Sequence, residues 1–157
     1  MIKKIFPWII FVAFFVLLII GFSSKDKMNK YTSDLMLKQL SPAFLNSSQL
    51  LIDSLYNYTK SDLEYKITFL EFGSSGCIAC SKMEAVMKTI QEEYSINVQV
   101  VFRNISQAKN LNLMKYYGIV SIPTQIFLDE KGEEIFRHTG YLSVDDIKIK
   151  VLNRNIH

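Results

Sequence analysis

The chain of 157 residues has room for one domain of ordinary size and a short additional segment. Apolar residues make up 49% of the chain, and its 18 basic residues nearly balance its 15 acidic ones. A nearly neutral chain lacks the strongly basic surface that nucleic-acid binding requires, so we expect no nucleic-acid partner.

Residues 1–23 are predicted to be an N-terminal membrane anchor or signal segment. An uncharged run from Ile5 to Phe22 follows Lys3 and Lys4. As a helix this run would reach about 27 Å, close to the roughly 30 Å of hydrocarbon in a bilayer. The preceding lysines favour a cytoplasmic N-terminus, with the rest of the chain in the periplasm or at the cell exterior. The length of the run favours a retained transmembrane helix over a cleaved signal peptide, which would leave a secreted domain.

The remainder divides into a tether over residues 24–46 and a domain over residues 47–157. Serine, lysine, asparagine and aspartate dominate the tether, with a short helix in "SDLMLKQL". The domain is predicted to begin with a helix in "SSQLLIDSLYNYTK". Its buried face is read from apolar residues at helical spacing, which are Leu51, Leu55 and Tyr58.

The next segments alternate between strands and helices. "YKITFLEF" is apolar on both faces, as expected of a central strand covered by helices on each side. A helix with apolar residues at steps of three and four starts at Cys77, and "NVQVVFRN" is a second strand. "SQAKNLNLMKYYG" is a helix that ends at Gly118.

The last part of the chain is predicted to be a β-hairpin and a final helix. "TQIFLDEKGEEIFRH" contains two short strands around the turn at residues 129–132. Ser143 and Asp146 form a capping box that starts the last helix. A strand–helix–strand crossover followed by an antiparallel hairpin predicts an α/β fold, with a mixed central sheet between two layers of helices.

Cys77 and Cys80 are the only cysteines, and they lie in "GSSGCIAC" at the start of a helix. A structural zinc site needs four ligands, and the only further histidines are His138 and His157. A static disulfide across so short a loop would stabilise little, and inert buried thiols do not fit a polar loop. A redox pair fits better, because a helix N-terminus stabilises a thiolate at Cys77 and lowers its pKa. Cys80, one turn inward, is placed to resolve a mixed disulfide.

Three stretches, "FLEFGSSGCIACSKM", "YYGIVSIPTQIFLDEKGE" and "TGYLSVDDI", resemble the thioredoxin superfamily over roughly residues 65–152. The resemblance implies a thioredoxin-like three-layer sandwich and a thiol–disulfide oxidoreductase. It implies that Cys77 attacks the substrate and that Cys80 resolves the mixed disulfide. It also implies a cis proline at Pro123, preceded by Ile122, that binds the substrate backbone. Gly76 replaces the tryptophan that commonly precedes the first cysteine, and it is included in the expected substrate-binding set.

Glu71 is the third expected catalytic residue. It is the only charge in "ITFLEFG", and an unpaired carboxylate in a central strand is unfavourable unless it is protonated or has a function. The alternative is a strand-end glutamate that turns to solvent. The resemblance places a buried acid six residues before the first cysteine, commonly an aspartate, where it accepts the proton of the second thiol. The lysine that commonly supports that acid has no clear match, because Arg103 is shifted along the strand.

Three other polar residues are expected to have no part in catalysis. Arg103 is expected to be a surface charge at a strand end, Lys82 a solvated helix residue, and His138 an exposed hairpin side chain.

The dipeptide between the cysteines, Ile78–Ala79, is similar to that in the C-terminal domain of the transmembrane thiol reductant transporters. This similarity favours a reductase of protein disulfides that receives electrons from a membrane thiol reductant donor. We expect a monomer without cofactor or metal. The alternatives are a disulfide oxidase or isomerase, a copper(I)-delivery module in which His138 assists the two thiolates, and a non-catalytic binding module.

Overall fold

The structure is a computed structural model that describes residues 2–23 and 25–156. The side chains of residues 2–7, 9, 20, 22–23 and 25–26 are outside the described part. The predictions that depend on Lys3, Lys4 and His157 therefore fall outside it. A helix is present in the N-terminal segment, where α1 spans Ile2–Ser23. Within the described residues, no helix combines the length and the apolar character needed to cross a membrane.

A four-stranded mixed sheet forms the centre of the domain, as predicted. Its strands are β1 (Ile67–Gly73), β2 (Val98–Asn104), β3 (Thr124–Leu128) and β4 (Glu134–Thr139), in the order β2-β1-β3-β4. β1 is parallel to β2 and antiparallel to β3, which pairs antiparallel with β4. The crossover between the two parallel strands contains the helix predicted to start at Cys77, which is α4 over Ile78–Glu93.

Helices cover both faces of the sheet and complete a three-layer sandwich. Ile67 and Phe69 of β1 pack in one core with residues of α4 and of the C-terminal helical segment. Leu70 and Phe72 pack in the other core with residues of α3 (Pro42–Tyr56) and α5 (Leu111–Tyr116). All seven residues of β1 are buried, which confirms that it is a central strand. The C-terminal helical segment consists of α6 (Val144–Ile147), a π-helical turn (Lys148–Leu152) and α7 (Asn153–Asn155).

The N-cap predicted at Ser143, at the start of α6, is confirmed. Ser143 Oγ accepts a hydrogen bond from the backbone N–H of Asp146 at 3.1 Å and donates one to its carboxylate at 2.7 Å. These bonds satisfy a backbone donor that the first turn of the helix would otherwise leave unpaired.

The buried face of α3 differs from the prediction. Its buried residues are Ser48, Ile52 and Tyr56, whereas Leu51 and Leu55 are 40% and 41% exposed. The helix ends at Tyr56, so Tyr58 lies in a separate 3₁₀ turn and does not continue the helical stripe. The predicted buried face, which included Tyr58, therefore lies on a different side of the helix from the observed one.

A short helix was predicted within residues 33–40 of the tether, and the structure has a longer helix there, α2 over Lys25–Lys38, which packs against the domain. Its buried contact is Ser33, which is 3% exposed. Ser33 Oγ lies 2.6 Å from the carbonyl oxygen of Gly118 and accepts a hydrogen bond from Arg137 at 3.0 Å. Polar composition suggested a solvated linker, but here the buried contact is itself made by a polar residue.

Gly118→Ala is expected to destabilise the protein by about 2 kcal/mol, because the residue has φ +58° and its surroundings leave no room for a side chain. An added Cβ would lie 2.9 Å from Ser33 Cα and 3.0 Å from its backbone oxygen. Urea unfolding measures the loss. Gly76→Ala is the control, since it also has positive φ but an added Cβ would meet nothing within 4 Å. Equal losses in the two variants would show that packing against α2 contributes nothing.

Candidate redox site

The two cysteines lie at the junction between β1 and α4. Cys77 is the N-cap of α4, and its Sγ accepts a hydrogen bond from the backbone N–H of Cys80 at 3.2 Å. The two residues form a disulfide with their Cα atoms 5.2 Å apart, so the structure represents the oxidised protein. Cys77 is half-buried, whereas Cys80 is only 3% exposed. The outer sulfur can therefore meet a substrate, while the inner one is shielded.

Gly73, the last residue of β1, provides the space in which Cys80 lies. An added Cβ at this position would be 3.3 Å from Cys80 Sγ and 2.9 Å from the ring of Phe102. The absence of a side chain thus lets the inner cysteine pack directly on the strand. Gly73 is not among the predicted site residues, although a glycine at the end of an apolar strand indicates a close approach of another group to the backbone.

Glu71 is fully buried on the face of the sheet that α4 covers, so the alternative of a solvent-turned side chain is wrong. Side chains alternate along a strand, so Glu71 and Gly73 share this face about 6.6 Å apart. Glu71 consequently lies next to the position against which Cys80 packs. Within the described part of the chain, neither of its carboxyl oxygens has a hydrogen-bond partner.

The buried carboxyl of Glu71 is a weak acid. Burial raises its pKa from 4.5 to about 8, and the neighbouring side chain of Gln125 lowers it by less. At neutral pH the oxidised protein therefore holds Glu71 mostly protonated. A group with such a pKa can take up and release a proton near pH 7 to 8.

Pro123 is brought to the same edge of the sheet as the cysteines. The Ile122–Pro123 peptide bond is cis, as predicted. Thr124 of β3 is paired with Phe72 of β1, so the preceding residue, Pro123, lies opposite Gly73. Cys80 packs on Gly73, which places Pro123 near the disulfide. The carbonyl oxygen of Pro123 accepts a hydrogen bond from Gly140 at 2.8 Å, which ties this loop to the end of the hairpin.

Two of the predicted polar residues have different surroundings from those expected. Arg103 is half-buried and donates a hydrogen bond from Nε to the hydroxyl of Tyr56 at 3.1 Å, so it is not a free surface charge. It faces away from Glu71, whose partner on β2 is Phe102. His138 is half-buried rather than exposed, and its Nε2 lies 3.2 Å from the carbonyl oxygen of Tyr141.

Lys82 is exposed, as predicted. Among the residues that the structure describes, no group of three or more histidine, cysteine, aspartate or glutamate residues is placed to hold a metal ion.

A CxxC disulfide at a strand-to-helix junction, a cis proline beside it and a buried acid beneath it define a thioredoxin-fold dithiol site. Residues 58–154 match the family model described as a thioredoxin-like domain, and the chain belongs to this family.

Curated relatives include two proteins named thiol:disulfide interchange protein DsbD. The one from Haemophilus ducreyi is 29% identical over 60% of this chain, and the one from Actinobacillus pleuropneumoniae serotype 5b is 32% identical over 51%. The matched parts are only 18% and 15% of those two proteins, so the chain spans less than a fifth of their length.

Solved structures support the fold. A mutant thioredoxin from Halobacterium salinarum matches with a TM-score of 0.54 at 19% identity, over 66% of this chain and 84% of that one. A thioredoxin from Nicotiana alata matches with a TM-score of 0.52 at 22% identity, over 70% of this chain and 86% of that one. The expected thioredoxin-like α/β fold is thus confirmed.

Proposed function

We propose that the protein is an extracytoplasmic thiol–disulfide oxidoreductase that reduces protein disulfides through Cys77 and Cys80. One observation carries the proposal: the disulfide joins the half-buried Cys77 at a helix N-terminus to the buried Cys80, which packs on Gly73, two residues along β1 from the buried Glu71. The similarity to two proteins named thiol:disulfide interchange proteins supports the same chemistry.

The reaction begins with the thiolate of Cys77. It attacks one sulfur of the substrate disulfide, the substrate S–S bond breaks, and the other substrate sulfur leaves as a thiolate. Cys80 then transfers its thiol proton to the carboxylate of Glu71 and attacks Cys77 Sγ. The second substrate sulfur leaves as a thiolate, and both substrate thiolates take protons from solvent. Two electrons have passed to the substrate, and Glu71 retains its proton in the oxidised protein.

Substrate binding is assigned to the loops that flank the disulfide. An extended substrate segment lies along Ile122 and Pro123, because this cis dipeptide is level with the position on which Cys80 packs. Gly76 leaves the approach to Cys77 open, since an added Cβ there would meet nothing within 4 Å. Ile78 is 80% exposed and offers apolar contact to the substrate.

The direction of electron flow is assigned as reduction. Neither Ile78 nor Ala79 carries a charge that would stabilise the Cys77 thiolate strongly, and a strongly stabilised thiolate is what makes a dithiol pair oxidising. Equilibration with glutathione tests this assignment, because a potential close to that of the strong oxidants would identify an oxidase.

The location and the electron donor belong to the same proposal. Lys3 and Lys4 before the uncharged run Ile5–Phe22 support export of the domain, with the segment either retained as an anchor or cleaved. Outside the cytoplasm the oxidised pair needs a source of electrons, and a membrane thiol reductant donor would supply them. The substrates are disulfide-containing proteins of the same compartment.

Cys80→Ala is expected to trap substrates as mixed disulfides on Cys77, because the variant can attack but cannot resolve. The measurement is non-reducing electrophoresis of the full-length protein from its native cells, followed by identification of the bound proteins after reduction. The control is the double variant Cys77→Ser with Cys80→Ala, which should trap nothing. Failure of Cys80→Ala to form any disulfide-linked complex would refute the proposed function.

A further inference from the structure

A row of polar side chains crosses the sheet on the face that α4 covers. Glu71 of β1 is paired with Gln125 of β3, and Gln125 is paired with His138 of β4. Side chains of directly opposed residues in antiparallel strands lie on the same face, with Cβ atoms about 4.5–5.5 Å apart. Glu71 and Gln125 are fully buried, and His138 is half-buried. The row thus runs from the site of the inner cysteine toward the edge of the sheet.

Unpaired polar atoms lie on the two buried members of this row. Both carboxyl oxygens of Glu71 and Oε1 of Gln125 lack a hydrogen-bond partner in the described part of the chain. Gln125 Nε2 donates to the carbonyl oxygen of Gly140 at 3.0 Å, which leaves its second N–H available. Buried polar atoms without partners are unusual, and here they lie on directly opposed residues.

An amide is suited to both protonation states of a carboxyl group. Oε1 of Gln125 can accept a hydrogen bond from the protonated form of Glu71, and the second N–H can donate to the ionised form. The bond to Gly140 holds the amide in place, because Gly140 is itself bonded through its N–H to Pro123. Gln125 is thereby linked to the substrate-binding loop as well as to the buried acid.

The other groups around Glu71 leave Gln125 as its nearest polar neighbour on the sheet. β2 presents Phe102, and α4 presents Cys80 with Cys77 beyond it. The charged residues Lys82 and Glu84 of α4 are exposed. On the far side of Gln125, His138 interacts electrostatically with Asp146 of α6.

We propose that Gln125 is a positioning residue that holds the carboxyl group of Glu71 and supports its ionised form during proton transfer from Cys80. This inference rests on the proposed function, because it assigns Glu71 as the base of that reaction. Gln125 does not touch the substrate or the reacting sulfur atoms, and it acts through Glu71. Its removal should make Glu71 harder to ionise, since the burial that raises the pKa of Glu71 would remain.

Gln125→Met tests the proposal, because methionine has a similar length but no amide. The first measurement is a ¹³C NMR titration of the Glu71 carboxyl in the oxidised full-length protein. We expect the acid dissociation constant to fall about tenfold. The second is the single-turnover rate at which Cys80 resolves a preformed mixed disulfide, which should fall about tenfold at pH 7.

Gln99→Met is the matched control. Gln99 also lies in the sheet and accepts a hydrogen bond from the hydroxyl of Tyr58, but it pairs with Thr68, on the other face of β1 from Glu71. It should lose stability without changing the titration of Glu71. If Gln125→Met does not fold, Gln125→Asn keeps a shorter amide and should lower the dissociation constant to a smaller extent.

The outcomes separate this inference from the proposed function. An unchanged titration of Glu71 in the Gln125 variant overturns the inference, as does a shifted titration with an unchanged rate of resolution. A Cys80→Ala protein that forms no mixed disulfide at all refutes the proposed function. In that case a shifted titration would still establish the coupling between Gln125 and Glu71 but would overturn its part in proton transfer.

Discussion

Glu71→Gln is expected to slow the resolution of the mixed disulfide about a hundredfold at pH 7 while leaving the first attack by Cys77 unchanged. Cys80 is 3% exposed, so water has little access to its thiol proton, and Glu71 is a buried acid on the same face of β1 as Gly73, on which Cys80 packs. Glutamine keeps the size of the side chain but cannot accept a proton. The loss should therefore fall on the step in which Cys80 becomes a thiolate.

The pH dependence identifies this step. Burial raises the pKa of Glu71 to about 8, so only a minority of molecules carry the carboxylate at pH 7. The wild-type rate of resolution should therefore rise with pH and level off near pH 8, whereas the rate of the Glu71→Gln variant should stay lower and should not level off there. Stopped-flow measurement of thiol release from a preformed mixed disulfide provides both profiles. Glu64→Gln, at an exposed carboxylate, is the control. Parallel profiles in wild type and Glu71→Gln would exclude Glu71 as the base.

The residues of the candidate site could be predicted because their signals are local. Glu71 is a single charge in an apolar strand, and the spacing of the two cysteines places them on the first turn of the following helix. A proline directly before a strand identified the cis bond in the same way. Each of these signals lies within a few residues, and the resemblance to a known superfamily added their order along the chain.

Features that depend on strand register could not be read from the sequence. Gln125 appears in the sequence only as one polar residue in a short strand, and its pairing with Glu71 follows from the alignment of β3 on β1. Arg103 is adjacent in sequence to Phe102, but the alternation of β2 turns it to the opposite face, where Tyr56 is its partner. Shifting the register of β2 by one residue would exchange these two faces.

The docking of α2 was missed for a different reason. Hydrophobic periodicity detects helices that bury apolar residues, whereas α2 makes its buried contact through Ser33. The partner groups are a backbone carbonyl at Gly118 and a guanidinium at Arg137, both distant in the chain. The sequence predicted a short helix in this segment, but it carries no local signal for a contact that polar groups make with the domain.

The free energy of unfolding of the oxidised protein should fall by about 3 kcal/mol between pH 4.5 and pH 7 because of Glu71 alone. In the unfolded chain this carboxyl ionises around its ordinary pKa of 4.5, whereas in the folded protein burial raises its pKa to about 8. Between these values the unfolded state binds fewer protons than the folded state. Stability contributed by the protonated form is therefore present below pH 4.5, is lost as the pH rises, and levels off above pH 8.

Urea unfolding of the oxidised protein between pH 5 and pH 8.5 measures this slope. Glu71→Gln should remove it, while Glu64→Gln, which alters an exposed carboxylate, should keep it. Asp53 and Asp146 do not interfere, because hydrogen bonds from Lys60 and Lys150, respectively, lower their pKa below the usual 3.8, so they titrate at a more acidic pH. A slope of the same size in Glu71→Gln and wild type would mean that Glu71 has its ordinary pKa in the folded protein. Such a carboxyl would already be charged beneath the disulfide, and it could not retain the proton that the proposed reaction leaves on it.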